Sequence, residues 1–262
     1  MHRLTADEVR HWLGVEPGEE LDALIFMGLL DYPQALDAWS SALKDVRKAL
    51  WPNAIVGMFG EKRLAVAAGY GAAVAGDITH LCCLLGARAV LVTGYFGGLQ
   101  RDIGYGDVLL PTRAHPLDSV SAHYLGDERW TDASQEVVEW LAARCEEEGL
   151  PYHLGPLVSA ASIMTETPEH FAEWHEAGYY GVDLEVAVVF SVARRFGARR
   201  GALLVQSDSP IDGVYVSAHR TAEERDLQRR RQYQIGAVAL QAALKFAGAG
   251  QPMSTGHTPG ED

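Results

Sequence analysis

Short uninterrupted apolar runs that stop at glycine recur along this chain with helical segments between them, and this alternation limits the fold more than any other feature. Ala23 to Gly28 is the first such run, Ile55 to Phe59 and Lys62 to Ala68 follow around Gly60 and Glu61, and Ala87 to Thr93 leads into Gly94. Runs of this length without polar alternation fit strands buried on both faces of a mostly parallel sheet. Further strands are expected at Val108 to Leu110, Tyr152 to Ser159 and Gly201 to Gln206. Helical patterns occupy Asp7 to Leu13, Pro33 to Leu50, Ala72 to Leu85, Gln135 to Glu148, Pro168 to Ala177, Val186 to Phe196 and Ala222 to Phe246. Strands alternating with helices predict a single α/β domain, a central mixed and mostly parallel sheet covered by helices on both faces. That domain is expected over 22–247, after a polar N-terminal extension over 1–21 and before a disordered tail rich in Gly, Pro, Ser and Thr over 248–262.

The 262 residues suffice for one well-buried core. Against 22 Lys and Arg stand 35 Asp and Glu, a net charge of −13, which leaves no basic face for a nucleic acid backbone. No apolar run reaches the roughly 20 residues that cross a bilayer, and Met1 to Glu8 lacks an apolar signal region, so a cytoplasmic protein without a membrane partner is expected. Cys82, Cys83 and Cys145 show no metal or redox spacing and read as buried free thiols. The histidines lack zinc spacing, and His170 and His175 fall on different helix faces, so no metal is predicted. Nothing calls for a cofactor.

In open sheets of this kind ligands lie beyond the carboxyl ends of the strands. Gly28, Gly94 with Tyr95 and Phe96, Ser159, and Ser207 with Asp208 all fall at such ends and are expected to converge.

Five segments in order carry a resemblance: Gly69-Tyr70-Gly71, Val92 to Leu99, Gly106-Asp107-Val108, Gly181 to Glu185, and Ser207-Asp208. Together they resemble the nucleoside phosphorylase and nucleosidase superfamily, which holds hexameric purine nucleoside phosphorylases, uridine phosphorylases and methylthioadenosine/adenosylhomocysteine nucleosidases. The resemblance extends from Leu24 to Leu244 and implies cleavage of a nucleoside's N-glycosidic bond, without a cofactor, by a homo-oligomer, either a dimer or a hexamer. Asp183-Leu184-Glu185 matches the family's carboxylate motif, which implies substrate binding by all three and makes Glu185 the ribose ligand; the alternative is a carboxylate that merely complements a helix dipole. Asp208 matches the acid that protonates the leaving purine, against the alternative of a turn cap before Pro210. Arg225 stands where an arginine assists that acid, or else belongs to a solvated face with Arg229, Arg230 and Arg231.

Departures from the family pattern bear on the acceptor. The resemblance places phosphate-binding groups at Val92, Tyr95 and Tyr32, none of which supplies a positive charge, so hydrolysis is expected over phosphorolysis while phosphate remains a candidate partner. Arg47 and Arg63 stay open as anion donors, and Asp31 is the candidate water-activating base or a loop residue. The family's base-stacking aromatic falls on Ile163, which with Met164 is expected to form an apolar floor beneath a flat base. A nucleoside-binding module without turnover is the rival reading.

Overall fold

A computed structural model describes residues 4–29, 32–50, 53–126 and 128–248. The chain begins with α1 (Ala6–Leu13), whose first turn is closed reciprocally: the Thr5 side chain accepts from Glu8 N–H and the Glu8 carboxylate accepts from Thr5 N–H. There follow β1 (Ala23–Gly28), α2 (Tyr32–Ala42), β2 (Lys44–Lys48), β3 (Ala54–Phe59), β4 (Lys62–Gly69), α3 (Ala72–Leu84), β5 (Ala89–Gly98) and β6 (Val108–Pro116). The second half holds α4 (Ala122–Leu125), β7 (Thr131–Asp132), α5 (Gln135–Glu147), β8 (Tyr152–Ser159), α6 (Pro168–Glu176), β9 (Gly181–Asp183), α7 (Val186–Arg195), β10 (Arg199–Asp208) and α8 (Ala222–Phe246).

One mixed sheet runs in the order β10-β6-β8-β9-β5-β1-β4-β3-β2, and β10 also pairs with β5. Five strands therefore close on themselves, and β1, β4, β3 and β2 fan out from that ring. Alternate residues of the inner strands feed opposite faces. Leu24, Phe26, Val90 and Val92 pack with α3 and α7, while Ile25, Met27 and Leu91 pack with α5 and α8. Both faces are covered, as the unbroken apolar runs require.

Local differences from the sequence reading have physical causes. The helix expected from Pro33 to Leu50 stops at Ala42, and Lys44–Lys48 instead pairs antiparallel with β3 along the outer edge of the sheet. Asp45 takes a φ of 50° where that register shifts, and lysines flank the strand, features that blunt an exposed edge. Strand β5 does not end at Thr93 but continues through the glycines to Gly98, because β10 and β9 go on pairing with it. Residues 4–21, which composition sets apart, contribute Val9, Leu13, Val15 and Leu21 to the same core as Leu24 and Phe26. The expected tail beyond Gly248 lies outside the described residues.

Cys82, Cys83 and Cys145 are free and buried, and burial pushes the Cys83 thiol up to about 12. Among the described residues no helix is long and apolar enough to cross a membrane.

Candidate active site

Register alone gathers the functional positions. Gly28 lies opposite Gly69 on one side and Gly94 on the other. Gly97 lies between Asp208 on β10 and Val182 on β9, so these two residues are separated by two strand spacings, about 10 Å. Ser159 lies opposite Asp183. Glu185 follows β9 directly and begins α7.

Two glycines make room for this assembly. A Cβ on Gly28 would lie 2.7 Å from Glu185 Oε2, and one on Gly94 would lie 2.8 Å from the Gly28 carbonyl oxygen. The Gln232 side-chain amide on α8 donates to the Gly94 carbonyl at 2.8 Å and ties the helix to this point.

Glu185 is buried, with only 6% of its surface exposed. Its Oε1 accepts the Gly71 N–H at 2.6 Å, whereas Oε2 faces Gly28. Burial first, and then the negative charge of Asp183, push its carboxyl up to about 8 against the pull of the Gly71 and Leu184 N–H groups.

Asp183 is committed differently from the substrate-binding role expected of it. The Ser159 hydroxyl donates to Oδ1 at 2.5 Å, and Oδ2 accepts the N–H groups of Glu185 at 3.1 Å and Val186 at 2.8 Å. Ser159 Oγ accepts the Ala187 N–H in turn at 2.9 Å. Asp183 thus satisfies the start of α7, a helix whose first eight residues are all buried, and aims Glu185 by holding its main chain. Leu184 is also turned inward, packed with Leu99, Phe171 and Tyr179.

Asp208 ends β10, half-buried, with the Ser207 hydroxyl donating to Oδ1 at 2.5 Å. Burial raises its carboxyl above the ordinary value, while the Ser207 hydrogen bond and the Arg220 charge pull the other way. A carboxyl so placed keeps a proton that an exposed aspartate would lose. The cation whose charge reaches Asp208 is Arg220, and the expected Arg225 is placed beside Arg220. Arg225 is exposed and donates to the Arg220 carbonyl at 2.5 Å, whereas Arg220 itself reaches back to the Ser207 carbonyl at 2.5 Å. Arg220 precedes Thr221, the residue that caps α8, so a search along the helix passes it by.

Glu166 is the second residue that sequence reasoning missed. It follows the 3-10 turn Ile163–Thr165, is half-buried, and is pushed up to about 7 by burial and by the charges of Asp208 and Asp183. Thr165-Glu166-Thr167-Pro168 reads only as the approach to α6, and nothing in it signals a site.

The expected apolar floor does not form as drawn. Met164 is 88% exposed and Ile163 half-buried. Phe96 is buried against Gly181 rather than lining a surface, while Tyr95 is half-buried with its hydroxyl pushed up to about 12 by burial and then by Tyr105. Asp31 lies outside the described residues, as does the side chain of Tyr32.

Arg47 and Arg63 are occupied elsewhere. Arg47 pairs with Glu19 at 2.6 Å and Glu16 at 3.4 Å, and Arg63 with Glu19 at 2.6 Å. Arg63 lies near the start of β4, at the opposite end of that strand from Gly69. Among the described residues no group of three His, Cys, Asp or Glu side chains is placed to hold a metal ion.

Known proteins resemble the chain in sequence and in fold. The chain is 28% identical over 142 residues to guanosine phosphorylase of Halorubrum lacusprofundi, covering 54% of this chain and 57% of that one. It is 25% identical to a DeoD-type purine nucleoside phosphorylase of Clostridium perfringens, covering 61% of this chain and 65% of the other, so it spans less than two thirds of these two relatives. A DeoD-type 2 purine nucleoside phosphorylase of Vibrio cholerae is 24% identical with 89% and 98% coverage. Among solved structures, uridine phosphorylase from Vibrio fischeri superposes with a TM-score of 0.74 at 19% identity, covering 87% of this chain and 93% of that one, a likeness of fold. The family model described as the phosphorylase superfamily matches residues 52–244, and the chain belongs to that superfamily.

Proposed function

We propose that this protein cleaves the N-glycosidic bond of a purine nucleoside and transfers the pentosyl group to phosphate. The observation that carries the reading is Glu185: a buried carboxyl with one oxygen anchored by the Gly71 N–H and the other turned to Gly28 at the strand ends. Such an oxygen suits a pair of sugar hydroxyls, which would add their hydrogen bonds to those of the Gly71 and Leu184 N–H groups. As the glycosidic C–N bond breaks, its electron pair leaves with the base and positive charge grows on the sugar. Asp208, inclined by burial to keep its proton, donates it to N7 of the departing base. Arg220 balances the carboxylate that remains. A phosphate oxygen then bonds to the anomeric carbon.

The relatives named as guanosine and purine nucleoside phosphorylases support phosphate as acceptor and a purine as leaving group. The hydrolytic preference expected from sequence is not supported by them. Hydrolysis remains the second reading because Val92 is buried and Tyr95 is uncharged at the positions expected to hold the anion. Assembly into a dimer or hexamer, in which a neighbouring subunit supplies an anion donor, belongs to the same proposal. The test is release of free base from guanosine, inosine, adenosine and uridine with and without inorganic phosphate. Phosphate-dependent release from purine nucleosides is the expected result. Phosphate-independent release selects hydrolysis, and nucleoside binding without release in either condition selects the silent module.

A further inference from the structure

We propose that Tyr105 is a positioning residue, whose ring seats the Arg220 guanidinium beside Asp208. The inference rests on the nucleoside-cleaving reading of that site. Arg220 has little else to hold it. It sits at the end of the loop that follows β10, before the first turn of α8, and among the described residues it forms no ion pair. Its guanidinium makes one hydrogen bond, to the Ser207 carbonyl at 2.5 Å, and lies over the Tyr105 ring with 5.1 Å from its central carbon to the ring centroid. A guanidinium over an aromatic face is attracted by the ring quadrupole and keeps its edge N–H groups available, which a carboxylate partner would occupy.

The platform is rigid and tied to the strand that carries Asp208. Gly104 N–H donates to Asp107 Oδ2 at 2.9 Å, and that oxygen also meets His153 at 2.9 Å. Gly106 N–H donates to the Gln206 carbonyl at 3.2 Å, and Gln206 N–H donates to the Asp107 carbonyl at 2.9 Å. Gly106 turns the loop with a φ of 83°, and a Cβ there would lie 3.0 Å from the Leu227 side chain, so α8 holds the turn from outside.

The Tyr105 hydroxyl is buried and has no hydrogen-bond partner among the described residues. An unsatisfied hydroxyl is a cost to the fold, so the contribution of this side chain lies in its ring. The charged and titratable neighbours are few. Tyr105 faces Arg220, Glu224, Asp208 and Tyr95, and Asp208 faces Arg220, Tyr105 and Glu166.

The experiment is the pH profile of kcat and kcat/KM for wild type, Tyr105→Phe, Tyr105→Leu and Arg220→Lys with the nucleoside that wild type cleaves best. Tyr105→Phe keeps the ring and should stay within about 2-fold of wild type with the same profile. Tyr105→Leu should lower kcat roughly 3- to 30-fold, the range that a partly buried cation–π contact supports. It should also move the alkaline limb upward, because Asp208 gives up its proton less readily as Arg220 drifts away. Arg220→Lys, which keeps the charge on a group that stacks poorly, should show the same loss and carries the test if the leucine variant fails to fold. A wild-type kcat and limb in Tyr105→Leu or Arg220→Lys overturns the proposal, as does a Phe variant as impaired as Leu, which would assign the role to the hydroxyl. A wild type that releases no base from any nucleoside overturns the reading of the site itself, an outcome distinct from either of these.

Discussion

Replacing Glu185 by Gln should weaken the reaction and strengthen the fold at the same time. Gln keeps an oxygen to accept the Gly71 N–H and removes a carboxyl whose ionised form the site holds only at a cost. The folded chain keeps a proton on Glu185 up to about pH 8, whereas the unfolded chain releases it near the ordinary 4.5. Folding therefore takes up a proton between these values, and the stability of the wild type falls as pH rises through that window. At pH 7 the penalty relative to a neutral side chain is on the order of 3 kcal/mol, at about 1.36 kcal/mol per pH unit. For a chain of this size that corresponds to roughly 5 °C in Tm. Urea unfolding of both proteins at pH 5, 7 and 8.5 measures it. The Gln variant should gain on the wild type steadily from pH 5 to 8, while at pH 8.5, where the wild-type carboxyl is ionised, its kcat/KM falls at least about 100-fold through the lost charged hydrogen bonds to the sugar. Equal pH dependence of the two stabilities, or a variant less stable at pH 8.5, would refute the reasoning that this carboxylate is strained for function.

Other substitutions probe its neighbours. Asp208→Asn should lower kcat by about 10²- to 10⁴-fold with little change in KM, read by steady-state base release, since it removes the proton donor and keeps the shape. Asp183→Ala leaves the Ser159 hydroxyl and the N–H groups of Glu185 and Val186 without their acceptor, and urea denaturation should show a loss of about 2–4 kcal/mol. Gly28→Ala places a methyl against Glu185 Oε2, and overpacking of about 1–3 kcal/mol should accompany a fall in kcat/KM that nucleoside titration traces to weaker binding.

The sequence carried the sheet well where burial alone dictates structure. Tyr152–Ser159 and Ala222–Phe246 form as expected, because an unbroken apolar run and a long helical pattern leave little choice. It failed at Lys44–Lys48, where a charged segment is drawn into an edge strand by the hydrogen-bonding rim of β3, a partner invisible to local pattern. Within the site, the strand-end positions Gly28, Gly94, Glu185 and Asp208 were legible because a doubly covered sheet presents its ligand there. Asp183 was not separable from Glu185 by type or spacing. Only the register of Ser159 against Asp183 shows that one acid builds the start of α7 while the next reaches across to Gly28 and Gly71. Arg220, Tyr105 and Glu166 come from three separate loops, and loops brought together by tertiary structure leave no periodic trace.

A crystal structure with a bound, non-cleavable purine nucleoside analogue examines the pairing of the two acids on one substrate. The ribose hydroxyls should lie within about 2.6–3.2 Å of the Glu185 carboxylate, with a purine ring nitrogen at the same distance from Asp208. An analogue seated away from the ends of β1, β5 and β10, or one that touches a single acid while the other faces solvent or a protein partner, would contradict the account.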